Sequence, residues 1–401
     1  MDIQTIRLGI SFVLGVSIVL WVGRKNLPAG LLLGSFTFGF LALPIRTVAE
    51  RVAITLTDPS ILLLAAAVGM IPIIGGVLEG SGMMDHLVQN MRIGKKGFVA
   101  FAPAVLGMLP VPGGALFSAP LLKKVETGVS DNVKAASNVW YRHVAHLIYP
   151  LDPALLAEAK MAGLELYSVI PFLILPFVFL LAVGQVFFLR QVKGSMEYTG
   201  AFSPKYLAMP LGILLSAPLI DVTLRRTLPL PYLEIATLAA VTISLILACW
   251  LGKFDLRRLR SVAAGAKPWK FSLIIISIFV FINILRASEM PALISSLSLP
   301  FPLLAVILGF LLGVAAGETQ LPFAIVAPVV VATQGSIGIP QFAYMYTSMF
   351  LGSLVSPAHA CVSVTLEYFR VGLKDYLRTL GAPTLVSLAI IFALAAFGFG
   401  L

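Results

Sequence analysis

Charged side chains are scarce in this chain, and hydrophobic ones are abundant. Asp, Glu, Lys and Arg make up 11% of the 401 residues and hydrophobic residues 59%, whereas soluble domains carry about 25% charge. The mean hydropathy is +0.99, and apolar runs near the ~20 residues that cross a hydrocarbon core recur along the whole length. These properties exclude an ordinary soluble domain and predict an all-α polytopic membrane protein.

Cysteine and enzyme motifs are also nearly absent. The two cysteines, Cys249 and Cys361, lie inside apolar segments without CxxC spacing, so the sequence indicates neither a disulfide nor a zinc site. HExxH and GxSxG motifs are missing, as is an ATP-binding motif. His143-x-x-His146 has too generic a spacing for an intramembrane metal centre. We therefore predict no catalytic residues, no metal and no cofactor, and a protein that is not an enzyme.

The net charge of +10 does not indicate nucleic acid, because the sequence shows no basic helix and no basic patch interleaved with aromatic residues. The cations lie mainly in short loops, where Lys and Arg mark the cytoplasmic side of a membrane protein. Most of the 28 Lys and Arg residues fall on one side when the N-terminus is placed outside. The charge distribution therefore predicts that both termini lie outside the cell membrane.

Ten apolar segments are predicted to cross the membrane. They are 5–22, 29–45, 59–79, 138–161, 166–189, 206–220, 232–251, 271–288, 341–368 and 383–400. Two more apolar segments, 97–122 and 299–333, are interrupted at Pro110–Gly114 and at Gly317–Gln320. Their arms are too short to cross, and non-helical backbone at membrane depth must line a cavity or lie within protein. We therefore expect two re-entrant hairpins.

The interruptions occur at matching places in the two halves of the chain. Tyr149–Asp152 aligns with Ser356–His359, so Asp152 and His359 are equivalent and lie 207 residues apart. Five crossings and one hairpin per half make the second half inverted relative to the first, an arrangement that points to the binding site of a secondary transporter. The predicted parts are a first repeat, 1–190, a cytoplasmic linker, 191–205, and a second repeat, 206–401.

Ionisable residues at membrane depth are functional candidates because their burial is costly. We assign ion or proton coupling to Glu318, Asp152 and His359. The alternatives are that Glu318 touches water at the mouth of a shallow hairpin, and that Asp152 and His359 form a structural pair. The polar residues, glycines and proline of the tips and breaks are predicted to bind substrate: Pro112, Gly113, Gly114, Ser118, Gly317, Thr319, Gln320 and Ser356.

Three further residues, Arg142, His146 and Tyr149, share one face if a single helix continues through them. Arg142 either binds a carboxylate or extends to the membrane interface, and we favour the interface. At the first hairpin tip, helix N-terminal amides would suit an anion.

The runs LPVPGGALFSAP, GETQLPFAIVAP and SPAHACVSVTLEYF resemble those of a prokaryotic membrane-protein family of unknown function. That family looks like a branch of the ion transporter superfamily. Other branches of this superfamily are the arsenite permeases, the divalent anion/sodium symporters, the gluconate permeases and the large subunits of TRAP carriers. The resemblance implies a homodimer in the inner membrane, with scaffold and transport domains and an elevator motion. Resemblance to the dicarboxylate branch would imply a Ser-Asn-Thr sequence at both hairpin tips. This chain has that sequence at neither tip.

The sequence thus predicts a secondary active transporter of a small anionic solute, working as a symporter or antiporter with H⁺ or Na⁺ as the coupling ion. The missing Ser-Asn-Thr sequence, together with Glu318 and His359, favours protons. An alternative is a sodium/proton antiporter without an organic substrate. A channel or a membrane enzyme is a third hypothesis.

Overall fold

A computed structural model describes residues 3–108, 115–124, 128–196, 198 and 201–398. Its regular elements are all helical in this part of the chain. The α-helices are α1 (Ile3–Gly23), α2 (Leu27–Ala42), α3 (Ile45–Thr57), α4 (Pro59–Gly80), α5 (Met83–Gln89), α6 (Lys95–Gly107), α7 (Ala115–Lys124), α8 (Asp131–Val144), α9 (Pro153–Ala162), α10 (Leu166–Phe187), α11 (Pro204–Thr227), α12 (Glu234–Leu251), α13 (Leu256–Ala266), α14 (Pro268–Ala287), α15 (Met290–Ser295), α16 (Gly309–Ala316), α17 (Gln320–Gln334), α18 (Ile339–Leu354), α19 (Ala360–Phe369) and α20 (Leu373–Ala396). Ala145–Ile148 and Leu189–Gln191 are 3-10 turns, and Pro302–Leu308 is a π-helical turn leading into α16.

Among the described residues, seven helices are long and apolar enough to cross a membrane: α1, α4, α10, α11, α12, α14 and α20. They overlap seven of the ten predicted spans. α20 begins at Leu373, ten residues before its predicted start, because a polar first turn precedes the apolar part. Of the other three predicted spans, α2 has only 16 residues, and the remaining two are interrupted helices.

Both interrupted helices break at the predicted residues. α8 continues through a 3-10 turn to Ile148, and α9 begins at Pro153 after Asp152, whose backbone is extended (φ −63, ψ 124). α18 ends at Leu354, and α19 begins after His359, whose backbone is nearly the same (φ −71, ψ 118). Proline disfavours helical backbone in the residue before it, and Pro153 is suited to the first position of a new helix. The two breaks thus have nearly the same backbone at residues 207 positions apart, although only the first has a proline at the start of its second helix.

The two predicted hairpins correspond to two consecutive pairs of short helices. α6 and α7 flank the predicted first tip, and Pro110–Gly114 lies outside the described residues. The π-helical turn and α16 lead to Gly317 (φ +73), a left-handed C-cap after which α17 begins. Glycine adopts this conformation without steric cost, so the chain reverses sharply here.

The helices pack in two groups. α1 to α5 and α11 to α14 contact one another and form group A, while α6 to α10 and α16 to α20 form group B. α14 and α15 contact α17 and join the groups. Within group B, α6 packs on α8 and α16 packs on α18. Each predicted hairpin therefore lies against the interrupted helix of its own half of the chain.

Four shorter helices, α3, α5, α13 and α15, were not predicted. The expectation that the chain has no basic helix is wrong, because α13 carries Arg257, Arg258 and Arg260. At 11 residues, α13 is too short to give a clear sequence signal. It packs on α4, where Arg258 donates to the carbonyl oxygen of Gly80 at 3.2 Å.

A buried polar network joins α10, α11 and α12. Asp221 is fully buried and accepts hydrogen bonds from Arg225 (2.9 Å), Thr237 (3.1 Å) and Tyr167 (2.8 Å). We expect Asp221→Asn to lower stability by about 2 kcal/mol, since hydrogen bonds to a charged group contribute about 1.5–3 kcal/mol. Thermal unfolding in detergent measures this.

The matched control for this prediction is Asp375→Asn, because its ion pair with Arg378 is exposed and exposed pairs contribute little. Equal melting temperatures for the two variants would contradict the prediction.

Candidate functional site

Three of the chain's four histidines gather where the two interrupted helices meet. His143 lies at the end of α8, His146 in the following 3-10 turn, and His359 at the start of α19. The ring centres of His143 and His359 are 4.7 Å apart, and those of His143 and His146 are 5.4 Å apart. The two halves of the chain therefore contribute to one cluster.

At the first break, Asp152 caps α9. Its Oδ1 accepts from the backbone N–H groups of Ala154 (2.9 Å) and Leu155 (3.0 Å), as expected of an N-cap. Its Oδ2 lies 2.8 Å from Nδ1 of His146, and Nε2 of that ring lies 2.8 Å from the carbonyl oxygen of Gly107. Both ring nitrogens of His146 thus face oxygen acceptors. His146 thus connects the break to the end of α6.

At the second break, side chains hold the Gly317 turn. His359 Nδ1 lies 2.6 Å from the carbonyl oxygen of Gly317, and the Ser356 hydroxyl donates to the carbonyl oxygen of Val314 at 2.6 Å. A Cβ atom at Gly317 would lie 2.7 Å from the carbonyl carbon of Ala358 and from the backbone nitrogen of His359. The turn and the break are therefore in backbone contact, and glycine is required between them.

The Nε2 atoms of His143 and His359 lie next to each other. His359 Nε2 lies 2.8 Å from His143 Nε2, and His143 Nδ1 lies 2.7 Å from the carbonyl oxygen of Val139. The Cys361 sulfur joins them, and the ligand atoms of the three residues lie within 4.8 Å of one another. Asp152 and His359 do not form the structural pair that was considered, since each bonds a different histidine. Cys361, which the sequence places in an apolar segment without partner spacing, thus lies beside two histidines.

A buried carboxylate that sequence reasoning missed lies on α9. Glu158 is fully buried, and its Oε1 accepts a hydrogen bond from the Thr319 hydroxyl at 2.5 Å. Its Oε2 is buried without a hydrogen-bond partner among the described residues. Glu158 is within electrostatic reach of Glu318 and Asp152. The sequence could have identified Glu158, because it is an acidic residue within the predicted span 138–161.

Glu318 is half-buried and caps α17. Its two carboxylate oxygens accept from the backbone N–H groups of Gln320 (2.8 Å) and Leu321 (2.9 Å). The side chain thus occupies the N-terminal amides of α17, where an anion would otherwise bind. Glu318 nevertheless lies beside Thr319, which contacts Glu158, so the predicted tip and the missed acid belong to one polar cluster.

Of the remaining predicted site residues, some lie outside the described part of the chain and the others are buried. Pro112, Gly113 and Gly114 lie outside the described residues. Ser118, Thr319, Gln320 and Ser356 are buried, and the last three lie at the Gly317 turn or the second break.

The interpretation of Arg142 as an interface residue is wrong, since it is 3% exposed and interacts with Cys361. The predicted face of Arg142, His146 and Tyr149 is not formed, because α8 ends at Val144. Tyr149 instead donates to the carbonyl oxygen of Leu214 at 3.2 Å.

These features define an all-helical protein of membrane-spanning character, in which two interrupted helices enclose buried acids, histidines and a cysteine beside a tight glycine turn. The chain belongs to the family described as "Protein of unknown function (DUF401)", whose profile matches residues 9–399. A search of curated proteins gives no match to this chain.

Proposed function

We propose that the protein is a secondary active transporter that carries a small anionic solute by an elevator-type mechanism coupled to H⁺ or Na⁺. The observation that carries the proposal is the meeting of both helix breaks with the Gly317 turn around buried ionisable groups. Interrupted helices at matching places in two halves form the binding sites of many secondary transporters. Ionisable residues at membrane depth are candidates for function because their burial is costly.

Close glycine contacts support two inverted repeats. A Cβ atom at Gly107 would lie 2.4 Å from the carbonyl oxygen of Arg142, and one at Gly313 would lie 2.4 Å from that of Met349. Arg142 and Met349 are 207 residues apart, the same separation as Asp152 and His359. Small residues let membrane helices approach closely. Each half thus fixes its predicted hairpin to its interrupted helix by the same contact, as expected if each forms part of one moving unit.

The two groups of helices fit the roles of scaffold and transport domains. Group B contains both interrupted helices and both predicted hairpins. An apolar cavity of about 740 Å³ lies between α6, α10 and α11 and reaches the first break at Tyr149 and Pro150. This part of the boundary is apolar, whereas Tyr167, Tyr149 and Lys160 bond to residues of group A elsewhere, so sliding of group B along group A would break those contacts. In this proposal, group A is the scaffold of a homodimer in the prokaryotic inner membrane, with both termini outside.

Glu158 is the best candidate for ion coupling. Its Oε2, which has no hydrogen-bond partner in the described part of the chain, is positioned for a bound proton or a cation, with the Thr319 hydroxyl and Glu318 nearby. A buried polar atom without a partner is costly, and binding of the coupling ion would remove that cost. Neighbouring acids could also exchange Na⁺ for protons with no organic substrate. A sodium/proton antiporter is therefore our second candidate function.

Arg142 supports an anionic solute. It is a buried cation on the first interrupted helix, and it interacts with Cys361 at the start of the second. No side chain that the structure describes caps the N-terminus of α19, so its amides add to the positive potential. By contrast, Asp152 and Glu318 close the N-termini of α9 and α17.

A thermal-shift screen tests this function. Purified protein is heated with a panel of small anions, each with and without Na⁺ and at two pH values, because a ligand of the native state raises apparent stability. Solutes that raise it are then tested for uptake into proteoliposomes under an imposed proton or sodium gradient. We expect at least one anion to be taken up against its gradient. Antiport with Na⁺ alone, detected by a pH-sensitive dye, would favour the second candidate, and currents through single open pores would contradict both.

A contact between the two groups provides a test of movement. The Lys160 ammonium on α9 donates to the Ser60 hydroxyl on α4 and to Glu234 Oε1 on α12, the latter at 2.7 Å. If α9 moves during transport, a short bifunctional thiol reagent on Lys160→Cys/Ser60→Cys should abolish uptake by fixing one state. Transport is measured before and after treatment. The single variants Lys160→Cys and Ser60→Cys are the controls, and full uptake by the cross-linked double variant would contradict the elevator mechanism.

A further inference from the structure

Two histidines of the interrupted helices present lone pairs to the same space. Nδ1 of His143 lies 2.7 Å from the carbonyl oxygen of Val139, and Nδ1 of His359 lies 2.6 Å from that of Gly317. A carbonyl oxygen only accepts, so each Nδ1 carries the hydrogen atom. In the neutral tautomer, both Nε2 atoms are then acceptors, and they face each other at 2.8 Å. That arrangement requires a cation between the rings, either a shared proton or a metal ion.

This hydrogen-bond pattern is typical of histidine ligands of metals. A metal-bound histidine usually donates its other ring N–H to a carbonyl or carboxylate, which fixes the ring and its tautomer. His143 and His359 both have such a partner. The protein has only four histidines and two cysteines, and the third ligand atom here is the sulfur of Cys361, which lies with the two nitrogens inside 4.8 Å. With the two imidazole nitrogens, the sulfur supplies a third ligand atom of a kind that Zn²⁺ binds.

We infer that His143, His359 and Cys361 form a binding site for a transition-metal cation of the Zn²⁺ class. Two imidazoles and a thiolate suit Zn²⁺, which binds nitrogen at about 2.0–2.1 Å and sulfur at about 2.3 Å, and three protein ligands leave its fourth position open. Tetrahedral angles at those lengths place the two nitrogens about 3.3 Å apart, so the rings must separate by about half an ångström. This site does not depend on the proposed transport.

The surroundings of the three ligands allow entry and limit affinity. His359 and Cys361 are half-buried, and Pro357 and Ala360 beside them are exposed, so an ion can reach the site from the break. Arg142 interacts with Cys361, and its charge opposes that of a bound cation. The site spans both halves of the chain, since His143 precedes the first break, His359 ends the second break and Cys361 follows it. Metal binding would therefore hold the two interrupted helices together.

Cobalt titration of the full-length protein in detergent tests the site. Co²⁺ replaces Zn²⁺ in such sites and gives visible bands in tetrahedral thiolate coordination. After treatment with a chelator and its removal, we expect one Co²⁺ per chain with a thiolate band, and displacement by one equivalent of Zn²⁺. Cys361→Ala should lose the band and weaken Zn²⁺ binding more than about 100-fold, because losing an outer partner of a ligand already costs about 10–100-fold.

Matched variants decide the result. The residue equivalent to Cys361 in the first half is Ala154, at the start of α9, so alanine is compatible with this helix position. Cys249→Ala removes the other cysteine, and His86→Gln removes the one histidine far from the cluster; both should bind Co²⁺ like the natural protein. Absence of stoichiometric binding, or an unchanged thiolate band in Cys361→Ala, would overturn the inference and leave a shared proton between the rings. Gel filtration of each variant shows that a lost band is not due to unfolding.

Discussion

Glu158→Gln is expected to abolish gradient-driven uptake while leaving the protein folded. Glutamine has nearly the same size, and its amide oxygen can still accept the hydrogen bond that Thr319 donates to Glu158. It cannot exchange a proton, and it carries no charge for a cation. If Glu158 couples the ion to the solute, initial uptake should fall by about 100-fold or more, the lower bound for loss of an essential proton-transfer group. Uptake into proteoliposomes under an imposed gradient measures it.

Exchange of solute across the membrane at equal concentrations separates coupling from solute binding. Such exchange needs no net ion movement, so it should persist in Glu158→Gln if Glu158 binds only the ion. Glu367→Gln is the matched control, because Glu367 is an exposed acid on α19, the helix equivalent to α9. Its uptake should equal that of the natural protein. Glu158→Gln with undiminished, gradient-dependent uptake would remove Glu158 from the mechanism.

The helix breaks could be predicted at residue level because their causes are local. Pro150, Pro153 and Pro357 dictate extended backbone next to themselves, whatever surrounds them. The seven long helices could be predicted for the same reason, since length and hydropathy alone select them. The short helices α3, α5, α13 and α15 could not, because they are stabilised by packing on the long helices and have no apolar run of spanning length.

Contacts between the two halves of the chain were beyond sequence reasoning. His143 and Cys361 are more than 200 positions apart, and only the meeting of both breaks brings them together. The partner of Asp152 could not be predicted either: His146, in a 3-10 turn after α8, contacts it, whereas the pair considered from the sequence was Asp152 with His359. Glu158 differs, because its position in a predicted span already marked it by the rule that selected Glu318. Apart from Glu158, the residues of the candidate site that sequence reasoning missed are thus those whose partners come from another segment.

Gly317→Ala tests whether the second turn must contact the second break. Gly317 has φ +73, and an added Cβ would lie 2.7 Å from two backbone atoms of Ala358 and His359. An L-residue in this left-handed conformation costs about 1–2 kcal/mol. The contact adds to this cost, because backbone rather than a flexible side chain must move. We expect a larger fall in melting temperature than from strain alone, together with loss of uptake, since the His359–Gly317 and Thr319–Glu158 hydrogen bonds depend on this turn.

Gly163→Ala isolates the strain from the contact. Gly163 is the C-cap of α9 and has nearly the same left-handed backbone, φ 71 and ψ 25 against φ 73 and ψ 16 at Gly317, but an added Cβ there would meet no atom within 4 Å. It should lose about 1–2 kcal/mol of stability and keep its uptake. The difference between the two alanine variants therefore measures the contact between turn and break. If both variants have the same melting temperature and both transport, the turn does not need this contact. The meeting of the two halves of the chain at one site would then no longer explain how the ion and the solute are coupled.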